Sequence, residues 1–176
     1  MRLPCLISTA VLALAASAPA SAITYTFAAT LSNVGEPVPT STGTGTASVT
    51  FDDALLTVHV IEQFANLVNN ANNAHIHCCT ALANTGSAGV ALGFTAFPAA
   101  QAGNYNNTFT LSAASFASLL SGTQAGKAYV NIHSAGTYAA GEIRGFLAPV
   151  PEPETYALML AGLGMLGVAA KRRQRG

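Results

Sequence analysis

The residues of this chain best suited to chemistry are His75 and His77, separated by a single isoleucine, and His133 further along. On an extended strand successive side chains alternate, so His75 and His77 project from one face and Ile76 from the other. Two imidazoles so placed can chelate one metal ion, the donor type that zinc and copper take. His133 shares a strand face with Tyr129 and Asn131, with Val130 and Ile132 opposite, and is the candidate third ligand. A hairpin around residues 134–140 would let Glu142 or Arg144 approach His133 as a supporting hydrogen-bond partner.

Two readings of this set compete. In the one the sequence favours, the histidines and the Glu142/Arg144 pair form a buried polar network that fixes strand register, each group satisfied by its neighbours. In the other, His75, His77 and His133 hold one copper or zinc ion. A catalytic metal is disfavoured, because it needs three protein ligands plus an open position. A dinuclear centre needs more imidazoles than the four this chain has, and His59, between Val58 and Val60, is expected to face solvent.

Cys78 and Cys79 follow the histidine pair directly. Adjacent Cα atoms sit ~3.8 Å apart, closer than the ~4.4 Å minimum usual for a disulfide. A vicinal bridge would therefore be strained and would end the strand. Three states stay open: that bridge, intermolecular bridges, or thiolates binding metal beside the histidines. No Gly-X-Ser-X-Gly elbow and no phosphate-cradling glycine loop occurs, so no catalytic residue is assigned and an enzyme reading rests on the metal alone.

The elements that must position these residues read as strands. Period-two alternation marks residues 24–27, 46–51, 55–61, 74–78, 90–94, 107–111, 128–133 and 142–147, separated by Gly, Pro and Asn turns. Residues 112–121 are the one stretch that can form a short helix. About eight strands predict an all-β fold, a single antiparallel sandwich or flattened barrel spanning residues 23–149.

Both ends carry addresses. Residues 1–22 have one cation at Arg2, an apolar run and small residues at Ala20 and Ala22, which reads as a signal helix cut by signal peptidase after Ala22. The alternative is a buried first helix. Cys5 leaves with this segment, so Cys78 and Cys79 are the cysteines that remain. At the other end, residues 150–176 hold Pro151, Glu152 and Pro153, an uncharged apolar stretch at 155–170 and a basic tip at 171–176. At ~1.5 Å per residue the apolar stretch nearly crosses a hydrocarbon core of ~30 Å. The cations hold that tip in the cytoplasm while the domain is exported.

The formal charge of zero hides segregation. Between Ile23 and Pro149 lie Glu36, Asp52, Asp53, Glu62 and Glu142 against Lys127 and Arg144; 5 minus 2 leaves three net negative charges. Such a domain cannot neutralise several phosphates, which excludes nucleic acid as a partner. The charged fraction of 8% is far below the ~25% usual for globular proteins, and Ala, Gly, Thr, Ser and Asn take its place. This suits an extracellular β protein.

Two resemblances follow from these residues. The Pro-Glu-Pro triplet, apolar helix and Arg-rich tip resemble the PEP-CTERM sorting signal of Gram-negative bacteria. That resemblance implies a transient inner-membrane intermediate, cleavage by an exosortase, and release or attachment at the cell surface, often beside biofilm and exopolysaccharide production. A plain tail anchor is the alternative. Residues 74–77, 86–90, 128–133 and 141–145, with the lead-in at 56–60 and Leu67, resemble the CHRD domain, which implies a sandwich like copper,zinc superoxide dismutase in outline. Cys78-Cys79 and the Ala- and Gly-rich stretch from Ala81 to Asn107 depart from its pattern. The sequence thus predicts a non-catalytic exported module associated with extracellular matrix or polysaccharide. A copper- or zinc-binding protein is the main rival, and adhesion between like modules a third possibility.

Overall fold

The structure, a computed structural model, describes residues 23–38, 40–151, 159–163, 165, 166, 171 and 173. The expected signal segment with Ala20 and Ala22, the triplet residues Glu152 and Pro153, and part of the apolar tail lie outside the described residues. Among the described residues no helix is long and apolar enough to cross a membrane.

Two antiparallel sheets face each other. The first contains β1 (Thr24–Leu31), β2 (Thr44–Asp52), β3 (Thr57–Ala65), β6 (Gly103–Thr110) and the short β9 (Ala148–Pro149), in the order β6-β3-β2-β1-β9. The second contains β4 (Ala71–His77), β5 (Val90–Gly93), β7 (Tyr129–Ser134) and β8 (Ile143–Phe146), in the order β5-β4-β7-β8. Separate sheets decide for a sandwich over a barrel. The two are laced at one corner, where Ser32 and Arg144 exchange backbone hydrogen bonds of 3.1 and 2.8 Å.

Alternation explains the core. Val49 of β2 lies opposite Phe27 of β1 and Val60 of β3, and all three side chains are buried between the sheets. Ala74 and Ile76 of β4 and Val130 and Ile132 of β7 face them from the second sheet. Each such side chain contributes roughly 1.5–3 kcal/mol on leaving water. Phe51 meets Phe27 and Phe116 edge-on at 5.7 and 5.8 Å between ring centroids. Phe116 belongs to α1 (Ala113–Gln124), the expected helix, whose start is fixed by the Ser112 side chain accepting from Ser115 N.

Each expected strand forms, with shifted ends. Asp52 Oδ1 accepts from the backbone of Ala54 and Leu55 at 3.0 and 2.9 Å, making a turn that delays β3 to Thr57. β6 begins four residues earlier than expected, and β9 was not anticipated, since a two-residue strand has no periodicity to read.

Candidate metal centre

The histidines gather on the outer face of the second sheet. β4 and β7 pair with His77 opposite Tyr129, His75 opposite Asn131 and Asn73 opposite His133, so His75 and His133 are diagonal neighbours. The side chains opposite in parity, Ile76, Val130 and Ile132, are fully buried in the core and hold both strands in this register. Ring centroids lie 5.0 Å apart for His75 and His133, 5.5 Å for His75 and His77, and 6.2 Å for His77 and His133.

Each ring offers a nitrogen to the shared space, and these atoms all lie within 4.8 Å of one another. A point equidistant from three atoms 4.8 Å apart is about 2.8 Å from each, so small inward rotations reach the ~2.0–2.1 Å of a metal–imidazole bond. His77 Nδ1 donates to the Ala88 carbonyl and His133 Nδ1 to the Ala139 carbonyl, both at 2.9 Å. In a neutral ring that leaves a lone pair on each Nε2. Among the described residues, those two Nε2 atoms and His75 Nδ1 are buried without a hydrogen-bond partner. Burial, then the neighbouring His133 and His77, pushes the His75 pKa down to about 4. Burial also lowers that of His77 against the opposing pull of the Ala88 carbonyl. Both shifts favour the neutral rings of His75 and His77, the state in which imidazole ligates metal.

Behind the histidines stands a second layer. The Tyr129 ring stacks on His77 with centroids 4.8 Å apart and planes 2° from parallel. The Arg144 guanidinium lies over Tyr129 at 5.1 Å from its centroid. Because β7 runs between β4 and β8, His77 and Arg144 approach that ring from opposite sides. The peptide of Ala88 serves both aromatic residues: its N–H donates to Tyr129 Oη at 3.3 Å and its carbonyl accepts from His77.

Glu142 is not in this layer. Its carboxylate accepts from Ser41 Oγ and from Val68 N, each at 2.6 Å, and from Ser134 Oγ. Ser134 alternates with His133, so these partners lie on the core side and the expected approach of Glu142 to His133 is corrected. Arg144 does reach the site's surroundings, through Tyr129 rather than through His133. Its acidic partner is Glu36, with Nε 3.9 Å from Oε1, and the expected Glu142/Arg144 pair is split accordingly.

Sequence reasoning treated Glu36 only as a charge. The residue sits in the turn-rich segment before β2, is buried, and accepts from Asn131 Nδ2 at 2.5 Å. Burial raises its pKa, while Arg144 and Asn131 pull it back. Gly141, at φ +136°, makes room: a Cβ there would lie 2.1 Å from Glu36 Oε2. His59, as expected, points outward, its Nε2 within 2.8 Å of Asn106 Oδ1.

Cys78 and Cys79 are joined to each other by a disulfide directly after β4. Of the three states left open, the structure contains the vicinal bridge. Its sulfurs rest on α1 at Gly122, where a Cβ would come within 2.3 Å of both.

Residues 27–147 match the family profile of the CHRD domain, well over half of the chain. The chain belongs to the CHRD family. A PEP-CTERM protein-sorting motif matches residues 149–173. No curated protein and no solved structure matches this CHRD protein. The motif implies processing by an exosortase, export, and sorting to the surface of a Gram-negative cell.

The CHRD segments now have physical duties. The 86–90 stretch supplies the Ala88 peptide that clamps His77 and Tyr129, and its Gly86 carbonyl and Ser87 hydroxyl lie 3.3 and 3.4 Å from Arg144 Nη1. The 141–145 stretch gives Glu36 its space at Gly141 and delivers Arg144 to Tyr129.

Proposed function

We propose that this CHRD protein is an exported, non-catalytic module that binds one copper or zinc ion through His75, His77 and His133. One observation carries the reading: three buried imidazole nitrogens without hydrogen-bond partners belong to rings whose ligand atoms converge on one space. Buried polar atoms are ordinarily satisfied, and a metal ion satisfies three lone pairs at once. This reverses the preference for a self-satisfied network, since a network would have paired these atoms with each other. An all-imidazole set suits both metals, and the general affinity order favours copper(II) over zinc. Three imidazoles would leave a fourth coordination position; what supports the non-catalytic reading is that Glu142 and Glu36 are engaged with Ser41, Ser134 and Asn131, which takes both carboxylates out of use as a general base.

The test is elemental analysis of the tag-free full chain after equilibration with equimolar copper(II) or zinc. About one ion per chain is expected, and His77→Ala should lower affinity by at least tenfold. A wild-type chain that retains no metal at stoichiometric supply overturns the reading.

Association with extracellular matrix is a second reading, favoured by a different surface. The outer face of the first sheet is built largely from uncharged polar side chains, and delivery to the cell surface, which the sorting motif implies, supports an encounter with extracellular polymers.

A further inference from the structure

We propose that a trough across the outer face of the first sheet binds a neutral polysaccharide chain laid across the strands. The proposal names the polymer class for the matrix reading and rests on it. Strand register sets Thr30, Thr46, Gln63 and Asn104 side by side on β1, β2, β3 and β6. The next row holds Ala28, Ser48, Ile61 and Asn106, and the third Thr26, Thr50, His59 and Thr108. Two open depressions of about 610 and about 720 Å³ share Thr30, Thr46 and Gln63. Together they form one continuous trough from Ala148 at the β9 edge to Asn104 on β6. Four interstrand steps of ~4.8 Å make it roughly 19 Å long, room for a short oligosaccharide.

Charge and chemistry select the occupant. None of the three rows carries a carboxylate, lysine or arginine; His59, in the third row and outside the lining of both depressions, is their one titratable side chain, and Asp52 stands beyond them at the end of β2. An anionic polymer finds no lysine or arginine there and a basic peptide no carboxylate. β2 is paired with β1 and β3, and β3 with β2 and β6, along their length, while β1 meets β9 at Phe27 and Ala28, so over the middle of the trough the peptide groups are used and a ligand meets side chains alone. Threonine hydroxyls and Asn and Gln amides both donate and accept, as sugar hydroxyls do. Threonine methyls, Ala28 and Ile61 give the C–H faces of a sugar ring something apolar to rest on. Ile61 is the one large apolar residue of the three rows; with Phe146 half-buried at one end of the trough and Phe64 buried beneath the other, the exposed apolar area is small for the core of an interface between two copies of this chain.

The test is affinity electrophoresis of the full chain in mild detergent, through native gels containing hydroxyethylcellulose, dextran or alginate, with polymer-free gels as reference. The variant pair Thr46→Lys and Gln63→Lys changes exposed side chains, and Leu82→Lys adds the same charge on a remote loop. Retardation by a neutral polymer is expected, weakened at least tenfold by the trough pair and unchanged by Leu82→Lys. Retardation by alginate alone, insensitive to the trough pair, overturns the neutral-glycan trough and leaves matrix association standing. No retardation by any polymer overturns both. Self-association that the trough pair abolishes, without polymer binding, overturns the proposal by giving the face to a second copy.

Discussion

His77 and Tyr129 lie ring against ring, 4.8 Å between centroids and 2° from parallel, and the peptide of Ala88 hydrogen-bonds to both. The histidine is thus gripped at its face and at Nδ1, leaving one lone pair free. Tyr129→Ala removes the stack and should weaken copper binding about 10- to 100-fold, the range seen when a ligand's supporting partner is lost. Tyr129→Phe keeps the stack, loses the bond from Ala88 N, and should cost less than tenfold. Competition titration with a chromophoric chelator measures both; equal losses would mean that the stack contributes nothing.

Glu142 should matter for folding and little for metal. Its carboxylate ties Ser41, Val68 and Ser134 together in the interior. Glu142→Ala leaves those donors without an acceptor and should destabilise the domain by about 3 kcal/mol. Urea denaturation reads the loss, and the folded fraction should still bind one copper ion.

Glu62 makes stability depend on pH. It faces the core from β3, fully buried, with both oxygens unpartnered among the described residues, and burial pushes its pKa up to about 8. Below the ordinary carboxylate range both the folded and unfolded chain hold the proton. As pH rises from about 4.5 to about 8 the unfolded chain releases it while the folded chain keeps it, so stability falls across that window and levels off above it. The fall should be on the order of a few kcal/mol, from ~1.4 kcal/mol per pKa unit. Glu62→Gln should flatten the difference between urea midpoints at pH 5 and pH 8; an unchanged slope would place the titration elsewhere.

Gly122 should be intolerant of a single methyl group. Both sulfurs of the Cys78–Cys79 bridge occupy the space a Cβ would take. Gly122→Ala must push α1 away from the end of β4, with a cost of about 1–3 kcal/mol for overpacking. Thermal unfolding measures it, and Gly89→Ala, where a Cβ meets nothing within 4 Å, is the matched control.

Parity along a strand was enough to put His75 and His77 on one face, and Tyr129 with His133 on another. It could not show that the two faces coincide, because that depends on β4 pairing with a strand more than fifty residues away. Parity misled at Glu142 and Arg144, two residues apart and expected to act together. β8 starts only at Ile143, after Gly141 at φ +136°, so Glu142 precedes the strand and turns toward the core. Glu36 was illegible because its segment has no period. Glu62 was legible: the alternation of Val58 and Val60 continues through it to Phe64, and the expected strand simply stopped one residue short.

The last strand carries a mechanical consequence. Ala148 and Pro149 pair with Ala28 and Phe27, and Val150 N donates to Thr26 O at 2.9 Å. The Pro-Glu-Pro triplet begins at the next residue, Pro151. Were the chain cut and attached at the triplet, only a few residues would separate β9 from the attachment, on the order of 10 Å at ~3.3 Å each. The β9 edge would then lie nearest whatever held the domain, and the sheet would set the orientation in which it met its surroundings.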